Sequence, residues 1–202
     1  MALRNGAHAL CEKPLVINPW NLDAIEQIEP ESGRRVYTVL QLRVHPALIE
    51  LKQKLDAETR STRRQVVLTY VTSRGRWYDM SWKGIEERSG GIATNIGIHF
   101  FDLLIWLFGP MQRSEVHLRE RRRMGGFVEL AGAEVRWLLS LETSDLPYTA
   151  RPGERSTHRS ITADAQEIKD GRRKTGDEGA RGSSSSRLTS NVSCLTSYIP
   201  HT

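Results

Sequence analysis

Cysteine is scarce in this chain of 202 residues, which contains only Cys11 and Cys194. One distant pair cannot build the disulfide framework of a small secreted domain, so a protein of the reducing cytoplasm is the simplest expectation. The first eleven residues also lack the basic-then-apolar pattern of a secretory signal. These two absences predict a cytoplasmic location.

Long apolar runs are absent as well. The longest one, residues 96–108, contains His99 and Asp102, and it is shorter than the roughly 18 apolar residues that a membrane span requires. We therefore predict a buried helix at this position and no membrane partner.

Basic residues exceed acidic ones only slightly, for a net charge of +5, and they cluster only at residues 119–123. Such a run usually forms a solvated strand end or loop, and contact with an anionic ligand is the alternative. Because no aromatic platform or known nucleic-acid module accompanies the run, we do not expect nucleic acid as a partner.

Hydrophobic residues make up 38% of the chain, and their shortage is local. Up to about residue 145, apolar runs alternate with polar turns. Residues 169–202 are instead charged, glycine-rich and serine-rich, with little to bury. This composition predicts a disordered tail after a folded region.

The first forty residues have the pattern of a strand, a helix and a second strand. Residues 7–11 predict a buried strand. Asn18 followed by a proline is a typical helix start, and Pro30 with Gly33 predicts the stop. Residues 36–42 predict the second strand.

The next hundred or so residues begin with a helix and a strand and end mostly in strands. The pattern predicts a helix at residues 45–55, a strand at 65–72, a long loop at 73–89 and a buried helix at 96–108. Three strands are predicted after it, at residues 113–120, 126–130 and 133–141. This order predicts an α/β (α+β) fold, in which an open, mostly antiparallel sheet carries helices on one face.

Residues 90–102 are the most informative segment. After a Gly-Gly turn they place Asn95, His99 and Asp102 at i, i+4 and i+7, positions that share one face of a helix. Imidazole suits a general base, because its unperturbed pKa of about 6.5 lets it take a hydroxyl proton near neutral pH. Asn95, one turn before His99, can orient the imidazole ring by a hydrogen bond, and Asp102 can support it as a further partner. The structural alternatives are a satisfied core histidine, a helix N-cap for Asn95 and a plain helix-face residue for Asp102.

Two motifs in this order resemble one family. Residues 11–15, Cys-Glu-Lys-Pro-Leu, resemble the Glu-Lys-Pro motif of the glucose–fructose oxidoreductase/inositol dehydrogenase family. Residues 90–102 resemble that family's Gly-Gly-x-x-x-Asp-x-Gly-x-His-x-x-Asp motif, with Asn95 in place of the first Asp. Shorter stretches resemble one branch of the family, which oxidises the 3-hydroxyl of a UDP-linked N-acetylated glucuronate, at residues 18–22, 41–46, 72–78 and 81–84.

The resemblance covers about residues 1–168 and implies a domain division. Residues 1–40 would be the remnant of an NAD-binding Rossmann domain, and residues 41–168 a domain for substrate binding and oligomerisation. The family's Rossmann half carries a Gly-x-Gly-x-x-Gly turn, which this sequence lacks. The resemblance therefore implies a fragment that is inactive alone.

Residue roles also follow from the resemblance. Lys13 comes just after a predicted strand, where open α/β sheets bind ligands, and it would contact the reacting hydroxyl and the nicotinamide ribose; a surface lysine is the alternative. Some relatives have a cis peptide before Pro14. The implied catalytic residues are Lys13, Asn95 and His99, the NAD contacts Glu12, Lys13, Pro14, Arg43 and Trp77, and the substrate contacts Lys13, Arg74, Arg76, Tyr78, Lys83, Asn95 and His99. No metal site is predicted.

The function implied is that of an NAD-dependent sugar-nucleotide dehydrogenase in lipopolysaccharide or O-antigen sugar synthesis, with a homodimer or homotetramer formed through the sheet. Two alternatives remain open. One is another sugar or polyol dehydrogenase of the same family, and the other is a remnant that only associates with copies of itself.

Overall fold

The computed structural model describes residues 2–59, 63–147 and 157–165, so the tail predicted at residues 169–202 lies outside the described residues. Its N-terminal part is a strand–helix–strand unit, formed by β1 (Ala9–Cys11), α1 (Trp20–Ser32) and β2 (Val36–Thr38). The two strands pair in parallel, with Leu10 opposite Tyr37. The predicted order of elements for a Rossmann-type tail is therefore present, preceded by a short 3-10 turn that ends at Gly6 with a φ of 80°.

Three details of this unit differ from the prediction. Strand β1 is not buried, since Leu10 is 75% exposed. Pro30 lies inside α1 rather than ending it, and the helix ends at Gly33, whose φ of 63° suits a residue without a Cβ. The second strand stops at Thr38, because β1 offers only three residues for pairing, and a 3-10 turn occupies Gln41–Val44.

A five-stranded sheet forms the larger part of the fold. In chain order its strands are β3 (Arg64–Thr72), β4 (Met111–Arg119), β5 (Arg123–Leu130), β6 (Ala133–Ser140) and β7 (Thr157–Ala165). Their spatial order is β4-β5-β6-β3-β7, and every neighbouring pair is antiparallel except β3 with β6. The mostly antiparallel α+β sheet predicted from the element order is confirmed.

Strand β7 has no counterpart in the sequence prediction. Its segment is polar, but Ile161 and Ala163 pack against the core while the backbone pairs with β3 along its whole length. An edge strand needs only one apolar face, so alternation this weak is sufficient once β3 is in place.

Two helices, α2 (Pro46–Ala57) and α5 (Ile98–Phe108), supply the helical side of the core. Alternate residues of the strands face them, as period-2 alternation requires. The most deeply buried large side chains come from both layers: Leu48, Val66, Leu68, Leu103, Leu104, Leu107, Val135 and Leu139. Burying each such leucine stabilises the fold by roughly 1.5–3 kcal/mol.

The segment between β3 and α5 was predicted to be a long loop, and the structure corrects this. It contains α3 (Arg76–Met80), a 3-10 turn (Trp82–Gly84) and α4 (Glu86–Ser89). Helices of one turn contain too few residues to produce an apolar period. Gly84 is required where the turns meet, because a Cβ there would lie 2.5 Å from the Tyr78 carbonyl oxygen.

A π-helical turn, Ala93–Gly97, leads into α5. Gly97 ends it against the sheet, where a Cβ would lie 2.7 Å from Phe101 and 2.9 Å from Leu139. The wider turn changes the helical spacing between Asn95 and His99, so the i, i+4 geometry of an α-helix does not apply to them. Turns of this kind often occur at functional sites.

One stretch of the described residues, Glu86–Phe108, is long and apolar enough to cross a membrane by length and composition. It is not one regular helix, because Gly90 and Gly91 have φ values of 70° and 73°. Half of its most apolar window is buried inside the protein. These observations favour the core helix that the sequence predicted.

Candidate functional site

Lys13 brings the two sequence motifs together. It follows β1 directly, and the Lys13–Pro14 peptide bond is cis. Its Nζ donates a hydrogen bond to the backbone oxygen of Asn95 at 2.5 Å and lies 3.4 Å from Asn95 Oδ1. Residues 82 positions apart in the chain therefore meet at one point.

The surroundings of Lys13 disfavour its positive charge. Partial burial is the main cause that lowers its pKa, and the cation of Lys83 lowers it further. Glu12 acts in the opposite direction and Arg74 in the same one. An ammonium held among other cations is well suited to contact an oxygen that acquires negative charge.

Asn95 lies in the π-helical turn and is buried. Its Nδ2 donates to the Tyr78 hydroxyl at 3.5 Å, a long hydrogen bond. The hydrogen bonds of its side chain thus go to Lys13 and Tyr78, so the expectation that Asn95 orients the His99 ring by a hydrogen bond is not met. The N-cap alternative is also wrong, because Asn95 lies within the helical turn rather than before it. Burial is the main cause that raises the pKa of Tyr78.

His99 stands in the first turn of α5, close to charges of both signs. Burial is the main cause that lowers its pKa to about 4, Lys13 and Arg159 act in the same direction, and Asp102 opposes them. Its Nδ1 is buried without a hydrogen-bond partner. At neutral pH the ring is uncharged, so it can accept a proton.

Arg43, predicted as an NAD contact, is bound to Asp102. Its Nη2 lies 2.5 Å from Asp102 Oδ1, and its Nε donates to Oδ2 at 2.8 Å. This two-point ion pair joins the 3-10 turn after β2 to α5. Asp102 is therefore neither a plain helix-face residue nor a direct partner of His99, but acts on that ring through its charge.

The remaining predicted residues lie on the segment between β3 and α5. Arg74 stacks on Trp77, with its guanidinium carbon 5.8 Å from the ring centroid, and Lys83 stands at the same distance from Trp82. Arg76 is exposed at the start of α3 and Glu12 is exposed beside Lys13. The structure brings Lys13, Tyr78, Asn95 and His99 together, with Arg74 and Lys83 near Lys13, and leaves Arg76 at the surface.

Two arginines near this site were missed by the sequence analysis. Arg159 lies opposite Tyr70 in the β3–β7 pairing, 5.3 Å from its ring centroid, and its charge acts on His99. Arg122, in the basic run predicted to be solvated, is instead engaged by two carboxylates. The prediction for that run is wrong at this residue. The sequence gives no signal for these contacts, because each joins segments that are distant in the chain.

A sequence model of an oxidoreductase family, described as its C-terminal alpha/beta domain, matches residues 64–151. The crystal structure of the WlbA (WbpB) dehydrogenase from Thermus thermophilus in complex with NAD and UDP-GlcNAcA is 55% identical, with a TM-score of 0.74. Over residues 64–151 the chain therefore matches the C-terminal domain of this oxidoreductase family. Both the family resemblance and the predicted fold class are thereby confirmed.

The match to this relative covers 81% of the present chain and 52% of the relative. The chain thus spans about half the length of the oxidoreductase that it resembles. A second crystal structure of the same dehydrogenase, with NAD and alpha-ketoglutarate, gives the same identity and coverage.

A more distant oxidoreductase of the family supports the fold alone. The WlbA dehydrogenase from Bordetella pertussis, in complex with NADH and UDP-GlcNAcA, is 24% identical with a TM-score of 0.66. The match covers 81% of this chain and 47% of that one.

Proposed function

We propose that the chain is the substrate-binding part of an NAD-dependent dehydrogenase that oxidises the 3-hydroxyl of UDP-N-acetylglucosaminuronate to a ketone. One observation carries the proposal. The contact between Lys13 and Asn95 joins the two family motifs beside the uncharged ring of His99. The 55% identity to a dehydrogenase crystallised with NAD and UDP-GlcNAcA supports the choice of substrate.

The groups around Lys13 fit the nicotinamide end of NAD. Lys13 is partly buried beside the cations of Lys83 and Arg74, which lower its pKa, and this indicates a polar site that ligand atoms complete. Lys13, Glu12 and Pro14 would hold the cofactor, with Trp77 beside them, and NAD when bound supplies the acceptor for a hydride. Arg43 fits less well, because its guanidinium is already paired with Asp102.

Proton removal falls to His99. Oxidising a carbinol breaks its C–H bond with loss of a hydride, while the hydroxyl proton leaves to a base. Because Nδ1 of His99 is enclosed, Nε2 is the atom that accepts this proton. The uncharged ring is ready for this step at neutral pH.

Lys13 orients the hydroxyl and stabilises the negative charge that develops on its oxygen. Its Nζ already donates to the backbone of Asn95, which fixes the direction of the ammonium group. Tyr78 in turn contacts the Asn95 side chain. A preorganised donor of this kind lowers the barrier because it needs no rearrangement during the reaction.

The anionic groups of the substrate require cations beyond Lys13. Arg74 and Lys83 lie close enough to lower the pKa of Lys13, and Arg76 is exposed at the start of the neighbouring α3. Guanidinium groups bind carboxylate and diphosphate through paired hydrogen bonds. We assign to Arg74, Arg76 and Lys83 the binding of these two groups.

The test uses a chimera in which the N-terminal half of the Thermus thermophilus dehydrogenase precedes this chain. NADH formation is followed with UDP-N-acetylglucosaminuronate, and with inositol and free glucose for the alternative substrates. We expect turnover only with the UDP-sugar, and a loss of at least about 100-fold in Lys13→Ala and His99→Ala. Lys54→Ala, on the exposed side of α2, is the control. Turnover of inositol instead would refute the proposed substrate.

We further propose that copies of the chain associate through the sheet face opposite the helices. This face carries the exposed Val67, together with Arg136, which pairs with Val67 across the strands, and Phe127, which pairs with Arg136. Sedimentation of the chain and of Val67→Glu checks this: the variant should be monomeric where the parent is a dimer or tetramer.

A cytoplasmic location remains a prediction from the sequence.

A further inference from the structure

The basic run at residues 119–123 forms the turn between β4 and β5, and its arginines reach across to the segment that carries Trp77 and Tyr78. Arg119 pairs with Glu86 at 3.0 Å, and Arg121 lies 3.6 Å from Asp79. Both of these arginines are largely exposed, and such pairs contribute little to stability. Arg122, in contrast, is only 24% exposed.

All three nitrogens of the Arg122 guanidinium donate hydrogen bonds. Nη1 donates to both carboxylate oxygens of Asp79 at 2.8 and 3.0 Å, and Nε donates to Glu142 at 2.7 Å. Nη2 donates to the backbone oxygens of Arg74 and Leu141 at 3.0 and 3.1 Å. The planar group thus bridges the end of β6 and the segment after β3.

The segment after β3 contains two residues that accept hydrogen bonds from Arg122, and these residues flank its functional side chains. Arg74 and Asp79 lie on either side of Trp77 and Tyr78 in the chain. Tyr78 contacts Asn95, and Asn95 holds Lys13. A continuous series of contacts therefore runs from Arg122 to the proposed reaction centre.

We propose that Arg122 is a positioning residue, which fixes Arg74 and Tyr78 against the sheet and thereby sets the geometry of the Lys13–Asn95 contact. It does not reach the substrate itself. The effect of Arg122 on substrate binding rests on the proposed function. Its hold on residues 74–79 does not depend on that function.

The central experiment compares Arg122→Gln with Arg121→Gln in the 202-residue chain. Both variants lose one positive charge from the same turn, but only the first loses the bonds to Arg74, Leu141 and Glu142. Amide hydrogen exchange at residues 74–86 should become at least about tenfold faster in Arg122→Gln and change by less than about twofold in Arg121→Gln. Exchange in α5 and β6 reports whether the variant is folded.

If Arg122 only held residues 74–79 in place, its loss would leave the surroundings of Lys13 unchanged. A second measurement therefore reports the pKa of Lys13. The pH dependence of Lys13 acylation is read by peptide mass spectrometry. Loosening the segment moves Lys83 and Arg74 away from Lys13 and admits water, and both changes raise the pKa of Lys13. The acylation midpoint should therefore rise in Arg122→Gln and stay in place in Arg121→Gln. Glu12, the other charge acting on Lys13, is present in both variants.

Two further variants test the proposal if Arg122→Gln does not fold. Asp79→Asn removes the carboxylate on the loop and leaves Arg122 paired with Glu142, and it should reproduce the faster exchange. Arg122→Lys keeps one charged contact but cannot bridge both elements, so its exchange and its Lys13 midpoint should be intermediate.

The proposal is overturned if exchange at residues 74–86 is the same in Arg122→Gln, or in Asp79→Asn, as in Arg121→Gln. It is also overturned if the segment loosens while the Lys13 midpoint stays fixed. Binding of UDP-N-acetylglucosaminuronate to the parent chain, measured in parallel, tests the proposed function separately. If the parent chain does not bind this UDP-sugar, the proposed substrate is refuted. The exchange and acylation results then decide the role of Arg122 on their own.

Discussion

The N-terminal unit and the sheet region differ sharply in how well their apolar side chains are covered. Helix α1 contains no buried residue, and Leu10 and Trp20 are each 75% exposed. In α5, by contrast, five of the residues are buried. The proposed site draws on both regions, since Lys13 follows β1 while His99 lies on α5. Stability therefore depends mainly on the sheet region, whereas the geometry of the site depends on both regions.

The largest expected effect tests this contrast directly. Leu104→Ala removes a side chain that is 1% exposed, and a cavity of this kind costs about 2–5 kcal/mol of unfolding free energy. Leu22→Ala, on the poorly covered helix α1, should cost less than about 0.5 kcal/mol. Urea unfolding of both variants measures the difference. Equal losses would mean that α1 is as well packed as α5.

A medium effect concerns His99 and pH. Because its pKa is about 4 in the folded chain and 6.5 in the reference state, the unfolded chain binds the extra proton between these values. Stability is therefore complete above about pH 6.5 and falls as the pH drops towards 4, by about 1–3 kcal/mol. His99→Gln should flatten this part of the curve of unfolding free energy against pH. Leu104→Ala should shift the curve downwards without flattening it; a flat curve in the parent would contradict the burial of His99.

The smallest effect concerns the ion pair that ties the N-terminal region to α5. Asp102→Asn removes the charge that binds Arg43, and we expect a loss of about 0.5–1 kcal/mol for this partly exposed pair. Glu50→Gln removes an exposed pair with Lys54 on α2 and should lower the free energy of unfolding less than Asp102→Asn does. Chemical unfolding compares the two. Since Asp102 raises the pKa of His99, Asp102→Asn should also move the His99 transition to lower pH.

Much of the fold was predictable because its pattern is strong. The apolar run before Gly109 predicted α5, and the alternation on either side of residues 131–132 predicted the β5–β6 hairpin. Strand β7 and the short helices α3 and α4 were not predicted. The first depends on pairing with β3, and the others are too short to show a helical period.

The site was predictable in composition but not in geometry. Lys13, Asn95 and His99 were named from motifs, and the structure places them together. The motif spacing suggested a contact between Asn95 and His99, but the π-helical turn and the approach of Lys13 direct the Asn95 side chain elsewhere. The pairing of Arg43 with Asp102 likewise joins residues 59 positions apart.

Local pattern and motif are enough to recognise the family, the order of elements and the residue types of the site. Which charges face one another depends on how the chain folds. The contacts of Arg122, the effect of the Arg159 charge on His99 and the depressed pKa values of His99 and Lys13 all arise from burial and from contacts between distant segments. Electrostatic effects of this kind depend on distance and solvent exclusion in the folded chain, and no local stretch of sequence encodes either.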